Sequence, residues 1–155
     1  MRKVKLLLFV VLAVVFAAST GFAAEKSFKA KLTPKEETKK PKSKASGKAE
    51  FKLSEDGKSM TYKLHVKNIM DPTAAHIHMG KKGADGPPVV GLASEAKKGK
   101  VSGVLSEGMI MDKDLMGDLQ GKTVADLVNL IKSGDAYVNV HSSANPDGEI
   151  RGQIK

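Results

Sequence analysis

The stretch YVNVHSSANPDGEIRGQI, residues 137–154, decides the fold of this chain. Val138 and Val140 alternate with polar or aromatic neighbours, and after the turn at 143–148 the apolar Ile150 again stands between polar residues. Successive side chains of a strand point to opposite faces of a sheet. The stretch therefore predicts an antiparallel hairpin with one apolar face, directed to the core, and one polar face.

The same two-residue period recurs along most of the chain. It predicts further strands at 27–32, 49–53, 60–66, 75–79, 89–92 and 100–110, with a long loop at 33–47 and a connection at 68–73. A helix is predicted from Thr123 to Lys132, ended by Gly134, and a shorter helical turn near 112–116 capped by Asp112. Many short strands and one late helix predict an all-β fold, a Greek-key antiparallel β-sandwich.

The amino terminus has the pattern of a secretory signal peptide. A basic start, MRKVK, precedes an uncharged apolar run from Leu6 to Ala18 and small residues at Gly21 and Ala23. We expect residues 1–23 to be a signal peptide and residues 24–155 to form one exported domain, periplasmic or extracellular, without a membrane span after cleavage. An uncleaved anchor is the alternative, although the run is shorter than the roughly 20 residues of a spanning helix. The chain has no cysteine, so disulfides and thiolate metal ligands are excluded.

Positive charge is concentrated in one segment. The formal net charge is +9, and residues 31–48 contain seven lysines against Glu36 and Glu37. A solvated loop is one interpretation, and attraction to an anionic polymer or surface is the other. Nucleic-acid binding is not expected, because the segment has neither arginines nor interleaved aromatic residues.

Three of the four histidines lie in two predicted strands. His76 and His78 are two apart in AHIHMG, so they share one face, and His141 lies in YVNVHS. Neutral imidazole is a good ligand for Zn(II) and Cu(II), so the three predict a copper or zinc site; the alternative is a wet polar sheet face. His65, between two lysines, is interpreted as a surface residue and kept as an extra ligand. Met70 and Met79 are interpreted as core residues rather than copper ligands.

Glu149 and Arg151 lie two apart on the last predicted strand. A carboxylate behind an imidazole fixes its tautomer, so Glu149 is a candidate partner of the histidines. For Arg151 we expect a cross-strand ion pair. Motifs of nucleophilic catalysis and phosphate binding are missing from the sequence, so an enzyme is not expected.

These blocks together resemble the CHRD domain, named from the extracellular antagonist chordin. The resemblance rests on AKLT at 30–33, AHIHMG at 75–80, GPPV at 86–89, YVNVHS at 137–142 and GEIRGQI at 148–154. It implies an exported β-sandwich, as in small bacterial members of the family, with an architecture like that of immunoglobulin domains and copper/zinc superoxide dismutases. The lysine-rich segment after Glu36 and the serine at 142 depart from the family pattern.

Three functions follow from this sequence. The first is an exported, non-enzymatic protein that binds copper or zinc through His76, His78 and His141. The second is a module that binds a protein or an anionic polymer and in which the histidines are structural. The third is a dismutase-like redox enzyme, which would need more imidazoles than the chain contains.

Overall fold

The alternating segments of the sequence form eight strands in the computed structural model, which describes residues 26–155. The predicted signal peptide lies outside the described residues. The strands are β1 (Ser27–Leu32), β2 (Ser46–Leu53), β3 (Ser59–Met70), β4 (Pro72–Met79), β5 (Pro88–Ala93), β6 (Lys100–Met111), β7 (Ala136–Ser142) and β8 (Ile150–Gln153), with one α-helix, α1 (Val124–Lys132), before β7.

The strands form two antiparallel four-stranded sheets. The first sheet has the order β1-β2-β3-β6 and the second the order β5-β4-β7-β8. The chain crosses between them after β3, after β5 and after β6, and backbone hydrogen bonds between Thr33 and Arg151 join β1 to β8. The prediction of an all-β antiparallel sandwich is confirmed.

The core lies between the inner faces of the two sheets. Leu32, Met60 and Leu64 from the first sheet and Ile77 and Val138 from the second are fully buried in one apolar cluster. Each such side chain contributes about 1.5 to 3 kcal/mol when it is removed from water. Because the core takes alternate residues of β4 and β7, the residues between them face outward, where the three histidines lie.

Helix α1 closes one side of the core. The Thr123 hydroxyl accepts a hydrogen bond from the Asp126 amide and the Asp126 carboxylate accepts one from the Thr123 amide, which is a capping box. Leu127 and Ile131 are buried, and Gly134 follows the helix with a φ of +79°. The predicted helix is thus confirmed.

Two connections differ from the prediction. Only Asp71 separates β3 from β4, since residues 68–70 and 72–73 belong to the strands. Asn68 and Asp71 have positive φ angles, +57° and +46°, which asparagine and aspartate tolerate better than most residues and which let the chain turn sharply between the sheets. Met70 is consequently half exposed, so its prediction as a core residue was wrong.

The turn after β6 begins one residue earlier than predicted. Met111, not Asp112, occupies the capping position of a 3-10 turn at Asp112–Asp114. The Asp112 carboxylate instead accepts a 2.7 Å hydrogen bond from the Val124 amide at the start of α1. This contact fixes the start of the helix to the end of the first sheet.

The lysine-rich loop, residues 33–45 between β1 and β2, is held against the second sheet. It starts with a 3-10 turn at Pro34–Glu36, and then Glu37 and Ala45 are buried. The Ser43 hydroxyl donates a 2.6 Å hydrogen bond to Glu149, and Lys39 forms an ion pair with Asp147. The lysines face solvent, but the loop as a whole covers the polar face of the second sheet.

Candidate metal centre

The three predicted histidines converge on the outer face of the second sheet. β4 places His76 and His78 side by side, and β7 pairs with β4 so that His141 lies opposite Ala74, beside His76. One ring nitrogen of each residue lies within 4.8 Å of the other two, and His76 Nδ1 is 3.3 Å from His141 Nε2. Such a group of nitrogens can surround one metal ion.

Two backbone carbonyls determine the tautomers of His78 and His141. His78 Nδ1 lies 2.8 Å from the Gly86 oxygen, and His141 Nδ1 lies 2.8 Å from the Pro146 oxygen. A carbonyl only accepts, so both Nδ1 atoms carry the proton and neither Nε2 atom does. Within residues 26–155, the Nε2 of His141 faces His76 Nδ1, and the Nε2 of His78 has no partner. Histidines that bind metals are held in the same manner by a hydrogen bond from the other ring nitrogen.

The surroundings keep His76 and His78 uncharged. Burial, together with the neighbouring His141 and His78, lowers the pKa of His76 to about 4. Burial also lowers the pKa of His78, against the opposing effect of the Gly86 carbonyl. At neutral pH both rings are therefore neutral, the form that binds a metal without first losing a proton.

A stack of three side chains stands beside the cluster. The Tyr137 ring lies parallel to the His78 ring, with 5.0 Å between centroids, and the Arg151 guanidinium covers the other side of Tyr137. Arg151 is only 1% exposed and donates to the carbonyls of Lys81 and Ala84 and to Asp85. Its predicted cross-strand ion pair was wrong, since its acidic partner lies in the loop between β4 and β5.

Glu149 and His65 lie apart from the three histidines. The Glu149 carboxylate accepts its hydrogen bond from Ser43 in the lysine-rich loop, so it holds that loop rather than an imidazole. His65 belongs to β3 of the first sheet, where it lies opposite Lys48. Met79 is partly buried against the core, as expected. The cluster therefore consists of His76, His78 and His141.

A polar cavity of about 240 Å³ adjoins the cluster. It is lined by residues of the lysine-rich loop and of β4 and β7, including Glu37, His78, Tyr137 and Asn139. Burial raises the pKa of Glu37 to about 7, against the lowering effect of Arg151. The sequence did not predict a role for Glu37, because it lies in a segment interpreted as solvated and gains its importance only where the loop folds over the sheet.

The family model for the CHRD domain matches residues 28–154, nearly the whole chain. The protein belongs to the CHRD domain family. All three histidines and Glu37 lie within these matched residues. No curated protein and no solved structure matched this CHRD protein. Within residues 26–155, no helix has the length and apolarity needed to cross a membrane.

Proposed function

We propose that this CHRD protein is an exported, non-enzymatic protein that binds copper or zinc through His76, His78 and His141. The observation that supports the proposal is the convergence of three imidazole nitrogens within 4.8 Å of one another. Imidazole nitrogens suit Cu(II) and Zn(II), and a three-histidine set is a known zinc arrangement. The fixed tautomers of His78 and His141 add to this support, because no proton stands in the way at their Nε2 atoms.

Metal titration of the purified protein tests the proposal. We expect one Cu(II) or Zn(II) per chain by isothermal calorimetry, and loss of that binding in the His76→Ala, His78→Ala double variant. His65→Ala is the matched control, because it removes an imidazole from the other sheet. Equal affinity in the double variant and in the control would overturn the metal site.

Export and the absence of catalysis are tested separately. Mass spectrometry of the protein recovered from outside the cytoplasm should give Ala24 as its first residue, as the signal-peptide pattern of residues 1–23 predicts. The copper-loaded protein, freed of excess copper, should show no superoxide dismutase activity. Turnover that persists without free copper would favour the redox enzyme instead.

A second candidate function is binding of an anionic polysaccharide to the first sheet. Lys31 and Lys48 lie directly opposite each other across β1 and β2, with His65 next in the same row. Like charges placed opposite each other destabilise a sheet, and a polyanion would relieve this repulsion. The neighbouring row contains more acid, because Glu50 lies between Lys29 and Lys63 and Lys63 pairs with Glu107 at 2.8 Å. Among the described residues of the first row only Lys48 has an acidic contact, at 3.5 Å from Glu50.

The two rows provide a matched experiment. On a heparin column, the Lys31→Ser, Lys48→Ser variant should elute at lower salt than the Lys29→Ser, Lys63→Ser variant, although both lose two charges. Equal elution of the two variants would reject a polysaccharide site at the row of Lys31 and Lys48. Equally tight binding of duplex DNA would show that the surface does not prefer a polysaccharide.

A further inference from the structure

Three unpartnered polar atoms belong to residues around one cavity. Within residues 26–155, Glu37 Oε1, His78 Nε2 and Asn139 Oδ1 are buried and have no hydrogen-bond partner, and all three residues line the cavity beside the histidine cluster. Glu37 and Asn139 are 4% and 3% exposed. Buried polar atoms without partners are rare in folded proteins, and several around one cavity indicate a ligand.

The unpartnered atoms around the cavity are hydrogen-bond acceptors. A carboxyl oxygen, an amide oxygen and a deprotonated imidazole nitrogen all accept hydrogen bonds or bind a cation. The lysine that lines the cavity is already engaged, since Lys39 pairs with Asp147. Arg151, which lies behind Tyr137, donates to Asp85 and to two carbonyls. The cavity thus fits a small ligand that donates hydrogen bonds.

The Glu37 carboxyl occupies the space that a side chain at Gly148 would fill. A Cβ atom at Gly148 would lie 2.4 Å from Glu37 Oε1, and the φ of Gly148 is +132°, which other residues rarely adopt. The loop before β8 and the lysine-rich loop are therefore shaped to bring a carboxyl group under cover beside the histidine cluster.

We propose that this cavity holds the fourth, non-protein ligand of the bound metal. This ligand is a water molecule that donates hydrogen bonds to Glu37 and Asn139. The inference rests on the proposed function. A zinc or copper ion held by three imidazoles commonly keeps one position for water, and the acceptors of this cavity complement water but repel small anions. The fourth coordination position of the metal thus exchanges its water with solvent and disfavours anionic ligands.

Copper-loaded protein tests this inference without an activity assay. Cu(II) bound to an exchangeable water enhances the relaxation of bulk water protons above the outer-sphere level, and we expect this enhancement in the unmodified protein. Azide, followed by its charge-transfer absorption on Cu(II), should bind weakly. At pH 8, where Glu37 is mostly ionised, Glu37→Gln should raise the azide affinity roughly tenfold, the effect of removing one neighbouring like charge.

Glu36→Gln is the matched control. Glu36 is the preceding carboxylate and pairs with Lys82 at 3.3 Å, and it is absent from the lining of the cavity. It should leave azide affinity unchanged. If copper binds stoichiometrically but relaxation stays at the outer-sphere level, the metal site stands and the water-bound fourth position is rejected. An equal change of azide affinity in both variants would reject it as well. If no metal binds, both proposals fall.

Discussion

The guanidinium carbon of Arg151 lies 3.3 Å from the centre of the Tyr137 ring. This contact joins β8 to β7, and because Tyr137 also stacks on His78 it connects the strand hairpin to the histidine cluster. The planar guanidinium can stack and donate in several directions at once, which an ammonium group cannot. Arg151 therefore stabilises both the loop after β4 and the position of His78.

Replacing Arg151 should destabilise the protein. Arg151→Met loses the stack and removes the guanidinium donors from the carbonyls of Lys81 and Ala84 and from Asp85, at a cost of about 3 kcal/mol. Arg151→Lys keeps the charge but should still cost about 2 kcal/mol. Urea unfolding measures both, and the exposed Lys113→Met is the control, with an expected change below about 0.5 kcal/mol. An unchanged free energy of unfolding in Arg151→Met would mean that the stack does not stabilise the protein.

Gly152 should not tolerate a side chain. A Cβ atom there would lie 2.1 Å from the backbone oxygen of Lys31, where β8 meets β1. Since backbone cannot move aside cheaply, Gly152→Ala should cost about 3 kcal/mol in unfolding free energy. Gly91→Ala in β5 is the control, because its nearest neighbour is the Met116 methyl at 3.6 Å, an ordinary contact. Similar melting temperatures for the two variants would contradict the close approach of β1 and β8.

Stability of the metal-free protein should fall with rising pH through the titration of Glu37. Its pKa is about 7 in the folded protein, against 4.5 for an ordinary glutamate, chiefly because of burial. The folded state therefore binds more protons between these values, so this group lowers the free energy of unfolding as pH rises from 4.5 to 7. The size of the effect is about 3 kcal/mol.

Glu37→Gln isolates this effect from other titrations. At pH 4 we expect the variant and the parent to have similar unfolding free energies, and at pH 8 the variant should be the more stable. Urea unfolding between pH 4 and pH 8, with a chelator present, measures the difference. Parallel curves for the two proteins would show that Glu37 titrates normally.

Glu149 should hold the lysine-rich loop and leave metal affinity alone. Ser43→Ala and Glu149→Gln each weaken the 2.6 Å hydrogen bond between them, at a cost of about 1 kcal/mol. Both variants should then be cleaved faster by trypsin at the lysines of residues 33–45. A tenfold loss of Cu(II) affinity in Glu149→Gln alone would instead restore Glu149 as a partner of the histidines.

Much of the architecture could be predicted because the strands have a clear period. The alternation within β7 and the spacing of His76 and His78 are local properties, so the outward face of the histidines followed directly from alternation. The tight turn at Asp71 could not be predicted in this way, since its neighbours' tendency to form a loop was overridden by pairing of β3 with β6 and of β4 with β7.

The candidate site was predicted only in part. The three histidines were found from residue type and spacing, and the structure brings them together. Arg151 does contact Tyr137 across the hairpin, as a strand neighbour can. Its ion pair and the hydrogen bond of Glu149 are instead with loop residues, Asp85 and Ser43. Contacts between a strand and a distant loop leave no period in the sequence, which is why these two were misjudged.

The sequence by itself determined the sandwich, the capped helix and the sharing of one strand face by His76 and His78. These features depend on periodicity and on contacts between near neighbours. Only the tertiary structure decided that His141 lies beside His76 and that Glu37 is buried next to the cluster. The physical reason is that strand pairing across some sixty residues and the folding of a long loop over a sheet are set by packing of the whole core, which no local pattern encodes.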